Sequence, residues 1–177
     1  MWSDRQQLGA WMDAAAAGDG GAFASLARAA QDELLRFALA QGLRTADASE
    51  AVQETLLRAY QRRGRWKVGS DAAAWLCGIA MNVVREQRRR LKRRGEVGLD
   101  ESLLAAPGGD DSGLQLDARA IAGALESLSD RQREVVACRY LRQMSVRQTA
   151  EAMGCAEGTV KATLHAALAA VRKMMRI

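Results

Sequence analysis

Four residues, Ser145-Val146-Arg147-Gln148, constrain the fold of this chain more than any others. A serine followed three places later by a glutamine is a reciprocal helix cap: the hydroxyl takes one orphan backbone N–H and the amide reaches back to another. A helix therefore begins here, turns Val146, Ala150 and Met153 inward, and ends at Gly154, a residue able to adopt the left-handed conformation of a helix C-terminus. A second helix follows from Glu157, with Val160, Leu164, Ala167, Leu168 and Val171 at the helical period and Thr159, Lys161, Thr163 and His165 outward. Two helices joined by so short a turn have helix-turn-helix spacing, which seats the second in the major groove of DNA. An αα-hairpin within a bundle has the same pattern, and this segment alone leaves both open.

The rest of the chain is also expected to be helical. Among 177 residues there are two Phe, two Tyr and one Pro, and no run alternates Val, Ile or Thr, which argues against a sheet. The apolar runs are far shorter than a bilayer span, and the first thirty residues hold Asp4, Asp13 and Asp19 instead of a basic start and an apolar core. No secretory signal or membrane anchor is expected, and the location implied is cytoplasmic. Cys77, Cys138 and Cys155 are odd in number and widely spaced, so each is expected to be a small buried apolar residue, not part of a disulfide framework or zinc site. No catalytic, metal or cofactor constellation is visible: the one histidine, His165, stands beside Lys161, where a DNA contact or a plain surface role suits it better than catalysis.

Charge divides the chain into three. Residues 1–94 carry 16 Lys/Arg against 10 Asp/Glu, residues 95–117 carry none against 6, and residues 118–177 carry 10 against 5. Two basic bodies suit a polyanion, whereas the acidic strap, with Pro107, Gly108 and Gly109, reads as a flexible linker that leaves the bodies free to move.

Four helices account for residues 3–94. The first two meet near Gly18-Asp19 and bury Leu8, Trp11 and Met12 against Phe23, Leu26, Leu34, Leu35 and Phe37. The third is expected to open with a capping box from Asp47 to Glu50 and to bury Val52, Leu56, Ala59 and Tyr60. Glu50, Gln53, Glu54, Leu57, Arg58 and Gln61 lie on its opposite face. From Arg62 to Ser70 cations alternate with Trp66, a composition that neutralises phosphates and can stack on an unpaired base. The fourth helix places Trp75, Leu76, Ile79 and Val83 in the core. It ends in Arg85, Arg88, Arg89, Arg90, Lys92, Arg93 and Arg94, more cation than a helix dipole calls for.

The order of motifs is distinctive: Gly18-Asp19 then Ala22-Phe23, Asp47 to Glu54, Trp75-Leu76 with Ile79-Ala80 and Asn82, an acidic linker, Leu128 to Val135, Ser145, Ala150 to Gly154, and Gly158 to Lys161. Over nearly the whole chain this resembles the extracytoplasmic-function sigma factors of bacteria. The resemblance implies an all-α protein of two helical domains. Residues 1–94 are sigma domain 2, a four-helix bundle; residues 95–117 are the flexible acidic linker; residues 118–177 are sigma domain 4, the helix-turn-helix. It implies no enzyme activity, no cofactor and no metal, and it implies core RNA polymerase and promoter DNA as partners, with an anti-sigma factor as a candidate third. Carried onto these residues, Asp47, Glu50, Gln53 and Glu54 face a coiled coil of the largest polymerase subunit. Arg65, Trp66, Lys67, Ser70, Asn82, Arg88 and Arg89 meet the downstream promoter element, where a flipped base needs stacking and pocket contacts. Thr159, Lys161, Thr163 and His165 read the upstream element, and the strap threads towards the RNA path.

The chain departs from the family pattern in several places. Ala72 or Ala73 stands where an aromatic commonly follows the serine of the melting loop, and Gly78 stands where a basic residue commonly separates Trp-Leu from Ile-Ala. Ala162, Thr163, Ala166 and Leu168 surround the histidine in place of serine and arginines, and Ala156 replaces a capping serine. Ser49 replaces a third acid, either as a tolerated polar residue or as a site where phosphorylation would restore the charge. A DNA-binding regulator that never joins polymerase is the competing reading. The acid-rich face in residues 47–54 separates the two, since a simple repressor has no use for it.

Overall fold

The computed structural model describes residues 4–95 and 127–175, and every regular element among them is helical. The strap and residues 118–126 lie almost wholly outside that range. The N-terminal half comprises α1 (Arg5–Ala16), α2 (Gly20–Ala40), α3 (Thr45–Arg62), a 3₁₀ turn (Arg63–Arg65) and α4 (Ala72–Arg94). The C-terminal half comprises α5 (Asp130–Val136), a π-helical turn (Ala137–Leu141), α6 (Val146–Met153) and α7 (Glu157–Met175).

Short polar side chains start most of these helices. Asp4, Asp19 and Asp71 each accept a backbone N–H of the first turn, at 2.9, 3.0 and 3.0 Å. Ser145 and Gln148 close the reciprocal cap expected of them, and Gly154 ends α6 at φ 61°. Ser129 and Gln132 form a second such box at the start of α5. The third helix differs from expectation. It begins at Thr45, two residues before Asp47, so no Asp47–Glu50 capping box forms. Asp47 instead sits within the first turn, where the helix dipole favours an acid and Arg44 Nε donates to it at 3.0 Å.

Met12, Leu26, Leu34, Phe37, Leu76 and Met81 are essentially inaccessible, and so are Val135, Met144 and Val160 from the C-terminal half. All of them belong to one continuous hydrophobic core. Across the two halves α6 packs on α4, and the π-helical turn packs on α2. Cys77 and Cys138 are buried, and Cys155 is half-buried. Tyr60, expected inside, is exposed; its ring meets Phe23 edge-on at 5.1 Å and lies 3.9 Å beneath the Arg63 guanidinium.

Candidate nucleic-acid and partner interfaces

The polar face of α3 forms one surface. Gln53 and Glu50 are exposed, Glu54 and Asp47 half-buried, and Leu57 is 51% exposed among them. These acids are not bare. Arg90 reaches Glu50 at 2.8 Å, and Arg58 bridges Glu54 at 2.6 Å to Glu86 of α4 at 2.7 Å. The hydrogen bond from Arg58 holds the Glu86 carboxyl below its ordinary range. Ser49 is exposed one turn from the helix start and donates to the Thr45 carbonyl at 3.0 Å.

The cationic loop forms a second surface, with Arg65, Lys67 and Ser70 exposed as expected. Trp66 is placed otherwise. It is 8% exposed, its indole N–H donates to Asp13 at 2.5 Å, and its ring meets Trp75 edge-on at 5.5 Å. In this conformation the ring is a buttress of the loop, not a platform open to a base. The apolar side chain that does protrude there is Val68, 77% exposed, which sequence reasoning did not single out. On α4, Asn82 and Arg89 are exposed, whereas Arg88 is half-buried and paired with Asp130 of α5 at 2.6 Å.

On α7, Thr159, Lys161 and His165 are exposed and Thr163 is half-buried, while Val160 and Ala167 are buried. The outward face of this helix thus carries a single cation among the four expected contacts. It has few groups able to give the bidentate hydrogen bonds by which a guanine or adenine edge is discriminated.

The two halves meet through polar contacts that sequence reasoning missed. Asp71 caps α4 with Oδ1, while its Oδ2 accepts from Arg5 at 2.9 Å and from Gln148 of α6 at 2.7 Å. Arg85 grips Glu134 with two hydrogen bonds, at 2.5 and 2.6 Å. Arg142 reaches the Glu33 carboxylate and backbone carbonyl in the interior. Burial alone would raise the Glu33 pKa, yet its cationic partners, Arg142 among them, hold it below the ordinary value. The aspartate before a helix was a legible signal for Asp71; nothing local flags the other pairings. Among the described residues no helix is long and apolar enough to cross a membrane.

The sequence falls into two known families: residues 26–94 match sigma-70 region 2 and residues 118–171 match sigma-70, region 4. The chain is 40% identical over 167 residues to the ECF RNA polymerase sigma factor SigL of Mycobacterium tuberculosis, covering 88% of this chain and 92% of that one. It is 36% identical over 154 residues to the RNA polymerase sigma-E factor of Streptomyces coelicolor, covering 85% and 84%. Among solved structures it superposes on the sigma factor RpoE from Bartonella quintana, in complex with the anti-sigma factor NepR, with a TM-score of 0.68 and 28% identity over 81% of this chain and 90% of that one.

Proposed function

Because the chain belongs to the extracytoplasmic-function sigma factors, subunits that direct bacterial RNA polymerase to promoters and catalyse nothing themselves, we propose a division of labour among its surfaces. The α3 face, with Asp47, Glu50, Gln53 and Glu54 around the exposed Leu57, meets core polymerase. Acids paired to Arg58 and Arg90 can exchange those partners for basic groups on the enzyme at small net cost, since exposed ion pairs contribute about 0–1 kcal/mol. Arg65, Lys67, Ser70 and Asn82, with Arg88 and Arg89, take the downstream element, and Trp66 supports this loop from beneath. Thr159, Lys161, Thr163 and His165 take the upstream element, mostly through groove shape and phosphate contacts. The protein works in the cytoplasm, where polymerase and promoters are, and an anti-sigma factor is a natural third partner, as for the relative solved with NepR.

The observation that carries this reading is that one body bears both an α3 face, whose carboxylates are paired with arginines around the exposed Leu57, and a loop whose exposed Arg65 and Lys67 have no acid between them. Transcription in vitro with purified core polymerase and a genomic DNA pool, with start sites mapped, tests it. The reading requires new start sites that share a downstream element; addition of the chain without any directed initiation overturns it.

A further inference from the structure

We propose that the cleft where the α2–α3 turn, α4 and α5 meet is a binding site for an adenine nucleotide that carries a chain of phosphates. Gly42, at φ 80°, turns the chain from α2 towards α3 and brings that turn close to α5, where a β-carbon at position 42 would lie 3.2 Å from Arg133 Nη1. The cleft beside it has a volume of about 620 Å³. That is within the roughly 300–1,000 Å³ of small-molecule sites and more than a lone phosphate fills. The site does not depend on the promoter assignment above, and its test needs no polymerase.

Two features of the lining select the ligand. The first is charge. Arg44, Arg85, Arg88, Arg89, Lys92 and Arg131 all line the cleft, against three carboxylates. Each carboxylate already has a cation: Arg44 Nε reaches Asp47 at 3.0 Å, Arg85 Nε reaches Glu134 at 2.5 Å and Arg88 Nη2 reaches Asp130 at 2.6 Å. Arg89, Lys92 and Arg131 are exposed and have no acidic partner among the described residues. Three uncompensated cations around one concavity favour a multivalent anion, and an arginine fork takes two phosphate oxygens at once. The second feature is Gln41, which lines the cleft and is 1% exposed. Its backbone is accounted for, the N–H donating to the Phe37 carbonyl at 3.1 Å and the carbonyl accepting from Arg133 Nη1 at 3.2 Å. Neither Oε1 nor Nε2 of its amide has a hydrogen-bond partner. A buried amide left unpaired is costly, and this one sets an acceptor beside a donor. The adenine edge offers the complement, an N6 amine and an N7 lone pair. With the base on Gln41 and the phosphates on Arg89, Lys92 and Arg131, one nucleotide satisfies both features, whereas a bare phosphate chain leaves the amide unpaired. Arg88 and Arg89 also belong to the surface assigned to the downstream element, so nucleotide and promoter phosphates compete for them.

Isothermal titration of the full-length chain with ATP, with EDTA present and at physiological salt, tests the proposal. One ATP should bind per chain, at least about tenfold more tightly than tripolyphosphate, adenosine or GTP, whose guanine edge offers two acceptors to an amide that needs a donor as well. Arg131→Ala and Lys92→Ala, which lie outside the surfaces assigned to polymerase and promoter, should weaken ATP and tripolyphosphate by the same factor. Gln41→Leu should bring ATP down to the level of tripolyphosphate and leave tripolyphosphate unchanged. Because it removes an unpaired amide at similar volume, it should keep the helical circular dichroism and should not lower the thermal midpoint. No ATP binding, tripolyphosphate or GTP binding as tightly as ATP, or a Gln41→Leu chain that keeps the preference for ATP overturns the proposal. If Gln41→Leu does not fold, the comparison of ATP with tripolyphosphate and GTP on wild type still decides it.

Discussion

Gln148 works in two directions from one side chain: its Oε1 accepts the Ser145 backbone N–H at 2.8 Å, and its Nε2 donates to Asp71 Oδ2 at 2.7 Å. The residue that begins the helix-turn-helix therefore also ties it to the cap of α4. Local helix formation and long-range packing share one residue, and substitutions can separate them.

Gln148→Glu keeps an oxygen for the capping box, which accepts Glu as readily as Gln, but sets a carboxylate against Asp71. The circular dichroism of the free chain should stay unchanged while alkylation of the buried Cys138 accelerates. Asp71→Ala should do more: it removes an N-cap as well, a loss of about 1 kcal/mol in urea unfolding before the contacts to Arg5 and Gln148 are counted. Asp71→Asn, which can still cap, should fall between wild type and the alanine variant.

Arg142 and Glu33 are a buried pair 109 residues apart, with Arg142 among the most fully buried side chains of the protein. Removing Arg142 takes from Glu33 its buried partner and leaves it the exposed Arg36, at 2.5 Å. Arg142→Met should therefore cost less than the about 3–5 kcal/mol of a fully stranded buried charge, and Arg142→Met combined with Glu33→Leu should cost less still, because an apolar pair of similar volume needs no desolvation. Chemical denaturation of the single and double variants closes the cycle. Equal losses in the single and double variants would mean that the pair adds nothing beyond its packing.

The same carboxylate sets an acid limit on the packing of the two halves. Its pKa is lowered in the folded chain from 4.5, so the stability it contributes is complete above about pH 4.5 and is lost as pH falls through the lowered value. Small-angle scattering of the free chain should register no expansion between pH 7 and pH 5, and the onset of expansion only below the ordinary carboxylate value. Glu33→Gln should lack that step.

Where a helix start depends on a few adjacent residues, the sequence was sufficient. The Ser145–Gln148 box, Gly154 and the inward faces of α4 and α6 follow from local hydrogen bonding and the 3.6-residue period. The start of α3 was misread because Asp47 is equally at home as a cap and inside a first turn, and periodicity cannot choose between them. Tyr60 was expected inside because it lies on the apolar stripe, yet it sits where that stripe runs out to Arg63. The seating of α6 on α4 was not legible at all. It depends on Gly78 and Ala152 being small at facing positions, and on Arg142 finding Glu33, choices that leave no periodic trace.

Trp66 offers the sharpest test of how the cationic loop works, since sequence composition favours base stacking and the structure places the ring beneath the loop. Its indole N–H bonds Asp13, and Asp13 also accepts the Gly69 backbone N–H at 3.4 Å, so one carboxylate holds both ends of the turn. Trp66→Ala should cost about 3–5 kcal/mol in stability, as large aromatic truncations in cores do. Trp66→Phe keeps most of the packing and loses a hydrogen bond to a charged group, about 1.5–3 kcal/mol. Asp13→Asn, which leaves the ring untouched, should loosen the loop in the same sense as Trp66→Phe. As a buttress, Trp66→Ala should weaken transcription from duplex and pre-melted promoters by the same factor. If Trp66→Ala spares pre-melted templates and fails only on duplex, the ring leaves its pocket to stack on an extruded base when the loop meets DNA.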